Sequence, residues 1–151
     1  MATWFLAKIR YEKTNENGLT KKVTEYILVD ALSFTEAEVR TIDNMKAYIT
    51  GEFTVTALKI ENISELFTSD KECDDKFYKI KVVYIALDEK TAKERRMYSY
   101  MLVQSSDTVN AEKRLREGMA GTMAVYQVVA VQETSIAGVY PYLPGYNKAT
   151  R

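Results

Sequence analysis

Apolar and polar side chains alternate along WFLAKIRY (4–11) and again along FYKIKVVY (77–84), the period of two expected of strands with one buried face. One face carries Phe5, Ala7, Ile9 and Tyr11, and in the later segment Tyr78, Ile80, Val82 and Tyr84. The second strands, leading into YILVDAL and YMLVQSS, divide likewise, with Val23, Ile27 and Val29, then Met97, Met101 and Val103, turned inward. The period then lengthens: Val39, Ile42 and Ile49, and later Ala111, Leu115 and Met119, recur at helical spacing. Ser33 with Glu36 three residues on, and Asp107 at the matching place, are N-cap residues that predict helices over 35–48 and 109–120. Gly51 and the Gly118–Gly121 stretch supply their C-terminal stops. FTVTALKI and YQVVAVQ are β-branched and almost continuously apolar, which predicts third strands covered on both sides. The expected core is Ile9, Ile27, Val29, Val55 and Ala57 with Val82, Met101, Val103, Val128 and Ala130.

These patterns occur twice. Residues 4–67 laid over 77–140 match at an offset of 73 in the first segment (Lys8/Lys81, Tyr11/Tyr84). The offset is 74 from Tyr26/Tyr100 through Met45/Met119, and 73 again from Val55/Val128 to Ile63/Ile136. Twelve identities in 64 positions carry weight because each falls in the same local pattern in both copies. Two copies at this period make one pseudo-symmetric domain rather than a solenoid, which needs three or more. The expected fold class is α+β: two ββαβ repeats forming a pseudo-two-fold antiparallel or mixed sheet with two helices on one face. Repeat one spans 4–67, a polar linker 68–76, repeat two 77–140 and an extended C-terminal arm 141–151. Asn17-Gly18 marks the first hairpin turn; its counterpart, LDEKTA, lacks glycine.

Composition narrows the function. The 151 residues suit one domain, and 46% hydrophobic with 28% charged is globular. No run of 18 apolar residues exists, so no membrane span is expected, and Lys8 and Arg10 interrupt what a leader peptide would need. The reading is a cytoplasmic protein. One cysteine and no histidine remove internal disulfides, the common zinc sites and the usual general base. No metal, cofactor or catalytic residue is expected, and an enzyme is the least supported class. Formal charge is zero, yet residues 1–75 hold 9 basic and 14 acidic side chains and residues 76–151 hold 12 and 7. A basic half can be offered to an anion, or to the acidic half of another copy.

Two helices cover one face of a sheet, so the other is left for water or a partner. That face mixes rings with cations: Trp4, Lys8, Arg10, Lys22 and Tyr26, then Phe77, Lys79, Lys81, Arg96, Tyr98 and Tyr100. Stacking rings interleaved with Lys and Arg make a platform for single-stranded DNA or RNA. Leu6, Leu28, Val83 and Leu102 share the face, and an apolar patch of that kind equally suits a homodimer interface. Arg95-Arg96 beside Lys90 and Lys93 is the densest basic cluster, read either as a solvated hairpin rim or as a phosphate contact. Asp70, Glu72 and Asp74 begin like a calcium loop, but Asp75 and Lys81 stand where Gly and Glu are required, so they read as a solvated linker. Gly118-Met-Ala-Gly121 is similar to a backbone-clamping glycine loop, although a helix end explains it more simply. Cys73 lies in the acidic linker and is a poor nucleophile candidate.

The segments KIRYEKTNENGLTKKVTEYILVDALSFTEAE and GEFTV, with the later GMAGTMA, resemble a small domain-of-unknown-function family from Bacteroidetes and their phages. The likeness covers roughly residues 4–140, with the VTE…LVDALSFTEAE run its most specific part. It implies a bacterial or phage cytosolic protein and brings no activity or site residues. The residues themselves point to a non-catalytic binding module for single-stranded nucleic acid, with a homo-oligomeric assembly subunit as the alternative.

Overall fold

Strand forms wherever apolar and polar side chains alternate. In the computed structural model, which describes residues 3–141, β1 (Thr3–Thr14) and β2 (Thr20–Ala31) make a long antiparallel hairpin followed by α1 (Phe34–Lys46) and β3 (Phe53–Ile60). A short β4 (Glu65–Phe67) leads to a second hairpin, β5 (Lys76–Leu87) and β6 (Glu94–Ser105), then α2 (Thr108–Gly118), β7 (Val125–Glu133) and β8 (Ile136–Tyr140). The fold is α+β. Of the expected arm 141–151, all but Pro141 lies outside the described residues.

The strands form two sheets of four rather than the single sheet expected, in the orders β3-β1-β2-β8 and β4-β6-β5-β7. The reason lies in β4 and β8, which the sequence pattern does not separate. β8 pairs in parallel with β2, and β4 pairs in parallel with β6, so the second strand of each hairpin takes a short partner of its own and not a strand of the other hairpin. Residues up to Asn62 together with those from Ile136 form one compact unit, and Ile63–Ser135 form the other. The last strand of the first repeat therefore belongs to the second sheet, and that of the second repeat to the first.

Within each unit the pairing is the same, position for position. Lys8 faces Tyr26 across the first hairpin as Lys81 faces Tyr100 across the second. The register of β1 with β3 shifts between Lys8 and Ile9, and that of β5 with β7 between Lys81 and Val82, so a β-bulge recurs at an offset of 73. Leu28 opposes Val139 on β8 as Leu102 opposes Leu66 on β4.

Each helix packs on one face of its own sheet. Ser33 Oγ accepts from the Glu36 amide at 3.1 Å and Asp107 Oδ1 from the Asn110 amide at 2.8 Å, the two expected N-caps. Under α1 lie Ala7, Ile9, Ile27, Val29, Met45 and Ile49, and under α2 lie Tyr78, Ile80, Val82, Met101, Val103, Ala111 and Leu115. α1 buries Ala37, Thr41, Asn44 and Met45, while Val39 is exposed: its contact stripe is rotated from the one that counting large apolar residues picks out. Small Ala37 and Thr41, whose hydroxyl returns to the Ala37 carbonyl at 2.7 Å, let the helix approach the sheet closely.

The third strands depart from expectation. β3 and β7 lie at sheet edges, with Val55 and Val128 half-buried and Ala57 and Ala130 exposed. Continuous β-branched composition there reflects strand propensity, not cover on both faces. Met97, expected inward, is exposed; it lies on β6 short of the Met101–Val103 stretch that pairs with β4.

Candidate functional site

The ring-and-cation face divides between the two sheets. On the second, Lys79, Lys81, Arg96, Tyr98 and Tyr100 come together across β5 and β6. Lys81 stands opposite Tyr100 and Val83 opposite Tyr98, so side chains one step apart on the diagonal can reach each other. The Lys79 ammonium lies 4.7 Å from the centre of the Tyr100 ring, and the Lys81 ammonium 4.6 Å from that of Tyr98. Each distance is within cation–π range. Tyr98 is 54% exposed, and Arg96, the next outward residue toward the hairpin tip, is also exposed.

The remaining expected residues are placed differently. Phe77 is only 6% exposed, so its ring is not presented to a base; its carbonyl accepts from the Thr134 amide and hydroxyl. Leu28, Val83 and Leu102 share the side of the sheets away from the helices and are buried too, so that side is not the uninterrupted open platform expected. Trp4, Lys8 and Tyr26 on the first sheet are half-buried, with Trp4 opposite Asp30.

Arg10 and Lys22 are brought together instead in a cleft of about 550 Å³ beside the first hairpin, lined also by Phe53, Glu12, Glu52 and four threonines. Tyr11 lines it as well. Its hydroxyl donates to Glu25 Oε1 at 2.7 Å, and that bond holds the phenol above its ordinary pKa. Glu12 stands directly across from Lys22, so this cleft carries both signs of charge.

The segment between the repeats holds what the sequence pattern conceals. Asp74, expected to be solvated, is buried and ion-paired with Arg114 of α2. Ser69 donates its hydroxyl to the same carboxylate, Gln104 Nε2 donates to the Asp74 carbonyl at 2.9 Å, and Arg114 donates to the Gln104 carbonyl at 3.0 Å. Asp74 thereby ties the linker to β6 and α2, a structural rather than a catalytic role. Arg114 is the counterpart of Arg40, which donates to the Tyr140 and Pro141 carbonyls. That shared Arg40/Arg114 identity is the one signal the sequence offers; nothing marks Asp74 out from its acidic neighbours.

The glycine pair at 118 and 121 resolves as a helix end. Gly118 is the last residue of α2, and the Phe67 ring of β4 rests where a Cβ would stand. Gly121 follows in the left-handed region at φ +93°, which suits glycine. Among the described residues no three acidic or cysteine side chains gather as a metal site, and no helix is long and apolar enough to cross a membrane.

No curated protein matches the chain. The model of the family described as Domain of unknown function (DUF4494) matches residues 3–142, nearly the whole length, and the chain belongs to that family.

Proposed function

We propose that the chain is a non-catalytic binding module that holds single-stranded nucleic acid on the outer face of its second sheet. The observation that supports this is the diagonal ladder Lys79–Tyr100 and Lys81–Tyr98, continued by exposed Arg96. A base stacking on Tyr98 displaces the Lys81 ammonium from the ring, and the freed cation meets the adjoining phosphate. Breaking that cation–π pair costs about 0.5–1 kcal/mol at an exposed site. The stacking that replaces it is worth roughly 1–3 kcal/mol per base, and each neutralised phosphate releases condensed counterions. The exchange is therefore favourable. Charge also favours the second hairpin: Lys76–Ser105 holds seven basic and three acidic residues, against five and four in Thr3–Ala31. In keeping with the resemblance to proteins of Bacteroidetes and their phages, the module works in the cytoplasm of a bacterial or phage-infected cell.

Fluorescence anisotropy of a labelled oligonucleotide at two salt concentrations tests this. Tyr98→Ala should weaken binding by roughly 1–3 kcal/mol with little loss of fold stability. Replacing Lys79 and Lys81 by Met should flatten the salt dependence. Absence of binding at low salt, in protein shown to be folded, ends the reading.

The second reading is a homo-oligomeric assembly subunit. What favours it is not the outer sheet face, where Leu28, Val83 and Leu102 are already buried, but the edge of β7.

A further inference from the structure

Tyr98 and Tyr100 stand two residues apart on one face of β6, and Lys81 and Lys79 stand two apart on the facing strand β5. Lys79 is opposite Leu102 and leans back to the Tyr100 ring; Lys81 is opposite Tyr100 and leans back to the Tyr98 ring. Both lysines therefore lean the same way, toward the hairpin tip. Each two-residue step delivers one ring and one cation, and in an antiparallel sheet that step measures about 6.8 Å. The track has two ends. Beyond exposed Tyr98 comes exposed Arg96, whose planar guanidinium also stacks on a base, and then acidic Glu94. Beyond half-buried Tyr100 comes Leu102, which is fully buried. Three steps remain, at Tyr100, Tyr98 and Arg96.

The length of the step decides what kind of strand can lie on it. Bases stacked on one another rise about 3.4 Å per nucleotide, half the spacing of the rings. A base held between two neighbours has no free face for a ring, so it must leave them first. The gain on a ring is nearly the same for every base, because each has a π-face. The cost of leaving is not: purines hold their neighbours strongly and thymines weakly, which makes pyrimidine runs the cheaper ligand. Sugar pucker acts in the same direction. Deoxyribose opens readily to a long phosphate-to-phosphate step, whereas ribose keeps the shorter step of A-form RNA.

Resting on the nucleic-acid reading above, we propose that this track selects thymine-rich single-stranded DNA with its bases unstacked, over a footprint of three nucleotides. Charge complementarity sets the occupant: Lys79, Lys81, Arg96, Tyr98 and Tyr100 bring three cations and no acid to a polyanion. Lys79 and Lys81 leave the rings as bases arrive and meet the phosphates between them, while Arg96 supplies the third cation. A single strand loses about 0.7 in the slope of log K against log salt for each neutralised phosphate, so three cations set a slope of about −2.

Anisotropy titrations of the full chain with labelled oligo(dT), oligo(dA) and oligo(U), each of about 12 nucleotides, read the result at several salt concentrations. Oligo(dT) should bind most tightly, at least about fivefold above oligo(dA), with a salt slope of about −2. Tyr98→Leu, at an exposed position, should weaken oligo(dT) and narrow its lead over oligo(dA), because the preference arises at the rings. Should near-ultraviolet circular dichroism show that Tyr98→Leu has lost its fold, Arg96→Gln replaces it and should reduce the slope to about −1.4. No binding of any strand at low salt overturns the nucleic-acid reading and this inference with it. Oligo(dA) bound as tightly as oligo(dT) overturns the selection for unstacked bases and leaves that reading standing. Oligo(U) bound as tightly as oligo(dT) overturns the choice of DNA. A slope much steeper than −2 overturns the three-nucleotide footprint.

Discussion

Gly18 and Ala92 hold the same place in the two hairpins, both in the left-handed region, at φ +78° and +56°. In the first loop Asn15 Oδ1 accepts from the Asn17 and Leu19 amides, and in the second Asp88 Oδ1 accepts from the Lys90 amide. The second loop, 88–93, is one residue longer than 15–19, which is why the repeat offset changes from 73 to 74 between the first and second strands. The left-handed position survives the insertion although glycine does not.

An alanine held there costs about 1–2 kcal/mol. Glycine removes that strain but gives back about 0.5–1 kcal/mol through the greater freedom of the unfolded chain. Ala92→Gly should thus stabilise by about 0.5–1 kcal/mol, and Gly18→Ala should destabilise by a similar amount. Thermal melts of both variants decide it: opposite signs are expected, and a fall in Tm for Ala92→Gly would show that the loop is not strained.

Asp74 predicts a dependence on acid. The Ser69 hydroxyl and the Arg114 guanidinium hold its carboxyl below the ordinary value, more strongly than burial raises it. A carboxyl depressed in the fold contributes stability that is complete above its unfolded pKa of about 3.9 and is lost as pH falls through the lower folded value. Asp74→Asn should therefore melt well below the wild type at neutral pH, with a narrower gap at about pH 3, below the unfolded pKa. An equal gap at both pH values would separate the Asp74 contacts from its ionisation.

Gly118 and Phe67 predict a steric effect. A Cβ at 118 meets the ring of Phe67, which is half-buried against the core under α2. Gly118→Ala should improve helix propensity by up to about 1 kcal/mol yet lose about 1–3 kcal/mol by overpacking, for a net loss. Phe67→Leu in the same background should recover part of it. A more stable Gly118→Ala protein would mean that the ring yields freely.

Much of this architecture is legible in the sequence because its determinants are local. Alternation sets the faces of β1, β5 and most of β2 and β6, and Ser33 and Asp107 set the helix starts. What escapes is decided by pairing at long range. Nothing local distinguishes a β-branched run with neighbours on both sides from one at an edge, so Ala57 and Ala130 read as core although both are exposed. Three residues of β4 are too few to show a period, and with them goes the division into two sheets. Of the ring-and-cation set, the diagonal of Lys79, Lys81, Tyr98 and Tyr100 follows from strand register alone. The burial of Phe77 and the splitting off of Arg10 and Lys22 into a cleft depend on neighbours that the strand pattern cannot see.

The placement of β4 and β8 also sets an order in time. Ile63–Ser135 is one unbroken stretch in which the parallel edge strand comes first, whereas the other unit has the same strand last and is interrupted by that whole stretch. Each unit is thus a circular permutation of the other. During synthesis the second sheet has all four strands once Glu133 has emerged, while the first, begun earlier, stays a three-stranded intermediate with the edge of β2 bare until Ile136–Tyr140 arrives. The half that is started first is finished last, so the N-terminal hairpin must survive the making of an entire second unit before its sheet is complete.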